Sequence, residues 1–105
     1  MLFFVKGEVK GAVPLPPEQL LELSVKEWET IISYREQGKA LAGGALAGGK
    51  GGCGIWNVES AEELHTLVSQ LPGFLLCEWE IIPLVPLEYA LEWTKQALAA
   101  VRASK

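Results

Sequence analysis

Glu27 is the residue whose surroundings most readily make chemistry. It belongs to a set at helical spacing, Leu20, Leu23, Glu27, Ile31 and Tyr34, in which every other member is apolar or aromatic. A carboxylate on such a stripe loses hydration, which raises its pKa and makes it a usable proton acceptor near neutrality. Other chemistry-bearing side chains are sparse. His65, the single histidine, adjoins the apolar stripe Leu64, Leu67, Val68 and Leu71, where a hydrogen-bonded structural role is expected. Cys53 and Cys77 fall in separate strand-like segments with no CxxC pair, which reads as two reduced, buried thiols of a cytoplasmic protein. With these residues no metal is expected, since structural zinc takes about four such ligands. Gly44, Gly49 and Lys50 approach the phosphate-loop pattern GxxxxGK. Gly51 stands where a hydroxyl residue belongs, and a strand-like segment follows where a helix is needed, so that motif is rejected.

The elements that must position Glu27 follow from periodicity. Leu2 to Lys10 reads as a strand with Phe3, Val5, Gly7 and Val9 on its core face. Leu2, Phe4 and Lys6 occupy the other face, as they would beside a partly wet cavity or an interface. After the proline-bearing connection Gly11 to Pro17, a helix over Glu18 to Gln37 carries Glu27 and ends at Gly38. A second stripe on this helix is Leu21, Val25, Trp28 and Ile32, and Glu22 with Lys26 makes a surface i,i+4 pair. The stretch Ala40 to Gly54 is mostly alanine and glycine, and it reads as a strand pair, Leu41 to Ala47 and Cys53 to Val58, around the turn Gly48 to Gly52. So many glycines imply that another backbone or a ligand approaches closely. Ser60 and Glu63 form a capping box for a second helix that ends at Leu71-Pro72-Gly73. Leu75 to Leu84 is the fourth strand, placed at an edge by Pro83 and Pro86, and Leu87 to about Ala103 is a third helix.

The order is β-α-β-β-α-β plus a helix, an α+β ferredoxin-like plan. It is read as one domain, 1–105, with the βαββαβ core over 1–84 and the C-terminal helix over 85–105. A sheet covered by helices on one side leaves an apolar face open, and this chain is expected to bury that face as a homodimer or higher homo-oligomer. Net charge is −4 without a basic cluster, which excludes nucleic acid as an expected partner. No apolar run reaches the roughly 18 residues that span a bilayer, so no membrane association is expected. Lys6, Glu8 and Lys10 interrupt the start where a signal peptide would be apolar, so export is not expected.

The chain resembles the muconolactone isomerase family. Met1, Leu2, Phe3, Val5, Lys6, Val9 and Lys10 fit its opening pattern, and Glu27 and Gly38 continue the match. Ser60, Glu62, Leu64 and His65 fit S.E.LH, and Gln70, Leu71, Pro72 and Phe74 fit QLP.F, so the resemblance covers roughly the first eighty residues. It implies a cofactor-free isomerase of aromatic catabolism that moves a proton between carbons of an unsaturated lactone or enol, a small-molecule substrate held between helices and sheet. Glu27 takes the role of general base, and Lys6 that of partner to a substrate carboxylate. Phe4, Tyr34, Gly43, Gly44 and Trp56 are expected to line the same pocket. The chain also departs from the family. Ala40 to Ala45 replace the Trp, Arg and His of the family's second strand, and Phe4 replaces a histidine. The third helix, with Tyr89 and Trp93, is unlike the irregular tail the resemblance implies. A wider, less charged pocket follows from these changes. It leaves two other readings open, a natural-product tailoring enzyme (cyclase or cofactor-free oxygenase) and a non-catalytic ligand-binding or assembly protein.

Overall fold

Two-residue alternation gives β1 (Leu2–Val9) one buried and one open face, and β1 lies at the centre of the sheet. The computed structural model describes all residues, 1–105. β1 is followed by α1 (Pro17–Glu36), β2 (Ala40–Ala45), β3 (Gly51–Asn57), α2 (Ala61–Ser69), a 3-10 turn (Phe74–Leu76), β4 (Cys77–Leu84) and α3 (Leu87–Ala103). The strands pair antiparallel in the order β2-β3-β1-β4, the ferredoxin-like arrangement expected from the element order. β4 is an edge strand, where Pro83 is tolerated.

Sequence signals account for most element ends. Pro17 occupies the first turn of α1, where its missing N–H costs nothing, and Gly38 follows the helix at φ 77°. The capping box at α2 is half made. Ser60 Oγ accepts from the Glu63 N–H, but the Glu63 carboxylate pairs with Lys39 at 2.8 Å and does not return to the cap. β4 begins at Cys77, two residues later than the expected Leu75, because Phe74–Leu76 first closes a 3-10 turn on Leu71 and Gly73. β2 ends at Ala45 and β3 starts at Gly51, so the connecting turn lies a little earlier than the glycine spacing indicates.

The core is small and lies between α2, the C-terminal half of α1 and the sheet. It gathers Phe3, Val5, Tyr34, Ala40, Trp56, Val58, Leu64, Val68 and Leu71. On α1 the stripe through Leu23, Glu27, Ile31 and Tyr34 faces inward, while Leu21, Val25, Trp28 and Ile32 remain largely uncovered. α3 buries no residue and packs extensively on no other element. The radius of gyration, 18.0 Å, therefore exceeds the roughly 13 Å of a compact domain this long.

Candidate active site

The register of the sheet builds the floor of a cavity. Gly7 of β1 lies opposite Gly52 of β3 and Trp79 of β4. A Cβ on Gly7 would strike the Trp79 indole at 2.5 to 2.9 Å, and one on Gly52 would meet the Trp28 indole at 3.2 Å. Two adjacent glycines thus let two indoles lie close against the sheet, one from β4 and one from α1. Gly43, at φ 151° beside the bulge in β2, serves a different purpose, since a Cβ there would run into the Cys53 carbonyl. A Cβ on Gly54 would meet the Ala42 carbonyl, and one on Gly51 the Gly7 carbonyl. These glycines let neighbouring strands approach, whereas Gly44 has nothing beside it.

Above this floor lies a cavity of about 720 Å³, bounded by β1, β2, β3, α1 and the start of β4. Trp28, Trp56 and Trp79 line it together with Leu20, Leu23 and Ile31, so its walls are mostly apolar and aromatic. Glu27 is the single carboxylate among the lining residues, and Arg35 and Lys50 are the cations. Neither cation is engaged in an ion pair.

Glu27 Oε2 accepts a 2.5 Å hydrogen bond from the backbone N–H of Gly73, in the turn between α2 and β4. A Cβ on Gly73 would lie 2.8 Å from Oε2, so a larger residue there would make the Glu27 carboxylate shift. Burial raises the Glu27 pKa above the ordinary glutamate value, and the Gly73 bond offsets part of that rise. Burial also raises the Cys77 thiol and the Tyr34 hydroxyl, and the Glu27 charge adds to both shifts. The site thus places a half-buried carboxylate with one oxygen held by the backbone in an apolar cavity that Cys77 also lines.

The residues anticipated from sequence divide into two groups. Glu27, Gly43, Gly44 and Trp56 border the one cavity. Phe4 and Lys6 lie on the opposite face of the sheet, paired across strands with Ile55 and Ile82 and with Cys53 and Glu80. The alternation that turns Val5 inward turns both of them away from Glu27. Tyr34 sits deeper than the cavity wall, its hydroxyl donating to the Leu67 carbonyl at 3.2 Å and its ring edge-on to Trp56 at 5.6 Å. His65 is exposed and set edge-on against Phe74. Cys53 and Cys77 are free thiols, half-buried where full burial was expected, and both are among the residues that line the cavity. Gly73, Trp79 and Cys77 were not singled out by sequence reasoning as site residues. For Trp79 a signal exists, since pairing β4 with β1 sets it against Gly7; for Gly73 there is none beyond a helix-ending Pro-Gly.

Fold and site define a small α+β domain of ferredoxin-like topology, with an acid on α1 facing an apolar cavity. Residues 1–88 match the muconolactone delta-isomerase family model, and the chain belongs to that family. Muconolactone Delta-isomerase of Acinetobacter baylyi is 31% identical over 84 residues, 80% of this chain and 88% of that protein. A crystal structure of muconolactone isomerase superposes with TM-score 0.73 at 30% identity, covering 82% of this chain and 90% of the other. A 5-chloro-2-hydroxyhydroquinone dehydrochlorinase from Burkholderia phenoliruptrix, in complex with 2,5-dihydroxybenzoquinone, shares the fold at TM-score 0.58 and 20% identity, over 81% of this chain and 94% of that one. The family match ends at residue 88, so nearly all of α3 lies beyond it.

Proposed function

We propose that this protein is a cofactor-free isomerase that moves a proton between carbons of an unsaturated lactone or enol, with Glu27 as general base. The observation that carries this reading is the Glu27 carboxylate, half-buried, alone among the cavity's lining residues and anchored through one oxygen. The free oxygen takes a proton from a C–H made acidic by a conjugated carbonyl, and the electron pair passes into that carbonyl as a dienolate. Returning the same proton to a different carbon shifts the double bond and regenerates the carboxylate, so atoms and charge balance within one site. Burial favours both halves of the cycle, because a carboxylate with a raised pKa holds the proton long enough to redeliver it.

Membership of the muconolactone delta-isomerase family supports this chemistry and a place in aromatic catabolism. Arg35 and Lys50, at the cavity wall, are the groups available to an anionic substituent of the substrate. The protein acts as a homodimer through the open sheet face, where Phe4, Ile55, Ile82 and Leu84 form an apolar surface. The decisive experiment is exchange of a substrate C–H with deuterated solvent. Glu27→Gln should slow it by about 10²- to 10⁴-fold, the usual share of a general base. Undiminished exchange would remove Glu27 from the mechanism.

The three indoles around the cavity favour a second reading, a tailoring enzyme acting on a larger fused-ring substrate. Quenching of indole fluorescence by polycyclic aromatic ligands supports it, and its absence counts against it.

A further inference from the structure

Three indoles border the Glu27 cavity, and their N–H groups are disposed of differently. Trp79 Nε1 donates to the Phe74 carbonyl at 3.0 Å, so its donor is spent on the turn before β4. Trp28 is 37% exposed, and water can serve its N–H. Trp56 is only 4% exposed, yet its Nε1 donates to no acceptor in the chain. A buried indole N–H normally finds a partner, because an unpaired one forfeits the hydration it had in the unfolded chain. This nitrogen is not sealed off by its neighbours. The open space that Trp56 borders is the cavity.

The sheet and α1 hold this donor in place. Trp56 lies opposite Phe3 of β1 and Ala40 of β2, both core residues. Alternation sets it on the same face of β3 as Gly52, against which the Trp28 indole rests. Its ring meets Tyr34 edge-on at 5.6 Å, and the Tyr34 hydroxyl is tied in turn to the Leu67 carbonyl. The Glu27 charge is felt at that same hydroxyl, so donor and carboxylate flank one region of the cavity.

We propose that the Trp56 indole N–H donates to the substrate's carbonyl oxygen while Glu27 takes the proton. This rests on the proton-transfer reading of Glu27 and deepens it by stating what the substrate carries. It is a conjugated carbonyl compound whose oxygen reaches Trp56 while its acidic C–H reaches Glu27. As Glu27 removes the proton, the electron pair moves through the conjugated bonds and negative charge gathers on that oxygen. A hydrogen bond to the oxygen strengthens as the charge develops, most of all where apolar walls keep water from competing. Return of the proton to another carbon discharges the oxygen, and the indole keeps its own proton throughout. The unpaired N–H thus has an acceptor that only a ligand supplies.

The test uses the full chain and β-angelica lactone, an unsaturated lactone whose acidic ring C–H is conjugated to its carbonyl. Trp56→Phe keeps a ring in the site and removes the donor. Exchange of that C–H with deuterated water should fall about 10²-fold in kcat with little change in KM, the mark of a contact that strengthens in the transition state. Unreduced exchange in the folded variant overturns the proposal, as does a loss confined to KM. Nuclear magnetic resonance of the unsubstituted chain decides the matter even where Trp56→Phe does not fold. Added lactone should move the Trp56 indole proton downfield and leave that of Trp93, on α3, in place. A Trp56 signal that lies upfield and does not respond would put the N–H on the Tyr34 ring, which also overturns the proposal. Slow exchange in Glu27→Gln beside full exchange in Trp56→Phe removes the donor and keeps the base. Full exchange in Glu27→Gln beside a downfield Trp56 shift removes the base and keeps the contact to the carbonyl, so the two readings fail separately.

Discussion

At Glu27, burial and hydrogen bonding act in opposite directions. Burial is the larger influence and raises the pKa, while the Gly73 N–H stabilises the ionised form. Activity that depends on the ionised carboxylate should therefore fall with acidity from a pH above the ordinary glutamate range, as a pH–rate profile would record. Gly73→Ala forces Oε2 to move, because the added Cβ would sit 2.8 Å from it. Loss of the bond that lowers the pKa should shift the acidic limb upward and reduce turnover by about tenfold, the scale of one charge-assisted hydrogen bond. The same shift has a consequence for stability. A carboxyl whose pKa is raised by folding binds its proton more tightly in the native state, so ionising it costs stability as pH rises through that raised pKa. Stability of Glu27→Gln relative to the parent should therefore improve from acidic to neutral pH, as paired urea midpoints would show.

At the scale of elements, the two faces of each helix have different consequences. Leu64 and Val68 of α2 are 3% and 2% exposed, and both belong to the core. Leu64→Ala should cost about 2–5 kcal/mol in chemical denaturation. Val25→Ala, on the uncovered stripe of α1, should leave the unfolding of a dilute single chain within about 0.5 kcal/mol of the parent. The strands were legible because alternation is strict in β1, and the prolines before α1 and α3 and the Ser60 cap of α2 marked the helix starts. The 3-10 turn before β4 was not legible. Its residues Phe74, Leu75 and Leu76 look strand-like alone, and only their hydrogen bonds back to Leu71 and Gly73 make them a turn.

For the whole molecule, the balance of buried and exposed apolar groups points outward. Twelve of 105 residues are buried, whereas Tyr89, Leu91, Trp93 and Leu98 of α3 stand in the open beside Ile82 and Leu84 of β4. Such a chain gains stability from anything that covers those groups in the folded state only. Its thermal midpoint should rise with protein concentration, and Leu91→Asp with Leu98→Asp should weaken that dependence, as a dilution series of melting curves would show.

By itself the sequence determined the element order, the ferredoxin-like plan and the presence of one carboxylate on an apolar helix face. Each of these is a local regularity, namely strand alternation, helical spacing or a capping residue, and local regularities survive in one dimension. Tertiary structure alone decided which glycines hold strands together and which hold indoles, because that depends on cross-strand partners such as Gly7 and Gly52. It also decided that Phe4 and Lys6 face away from Glu27, that the Gly73 N–H reaches the carboxylate, and that α3 stands clear of its own domain. The physical reason is common to all of them: each depends on residues far apart in the chain meeting, or failing to meet, in space.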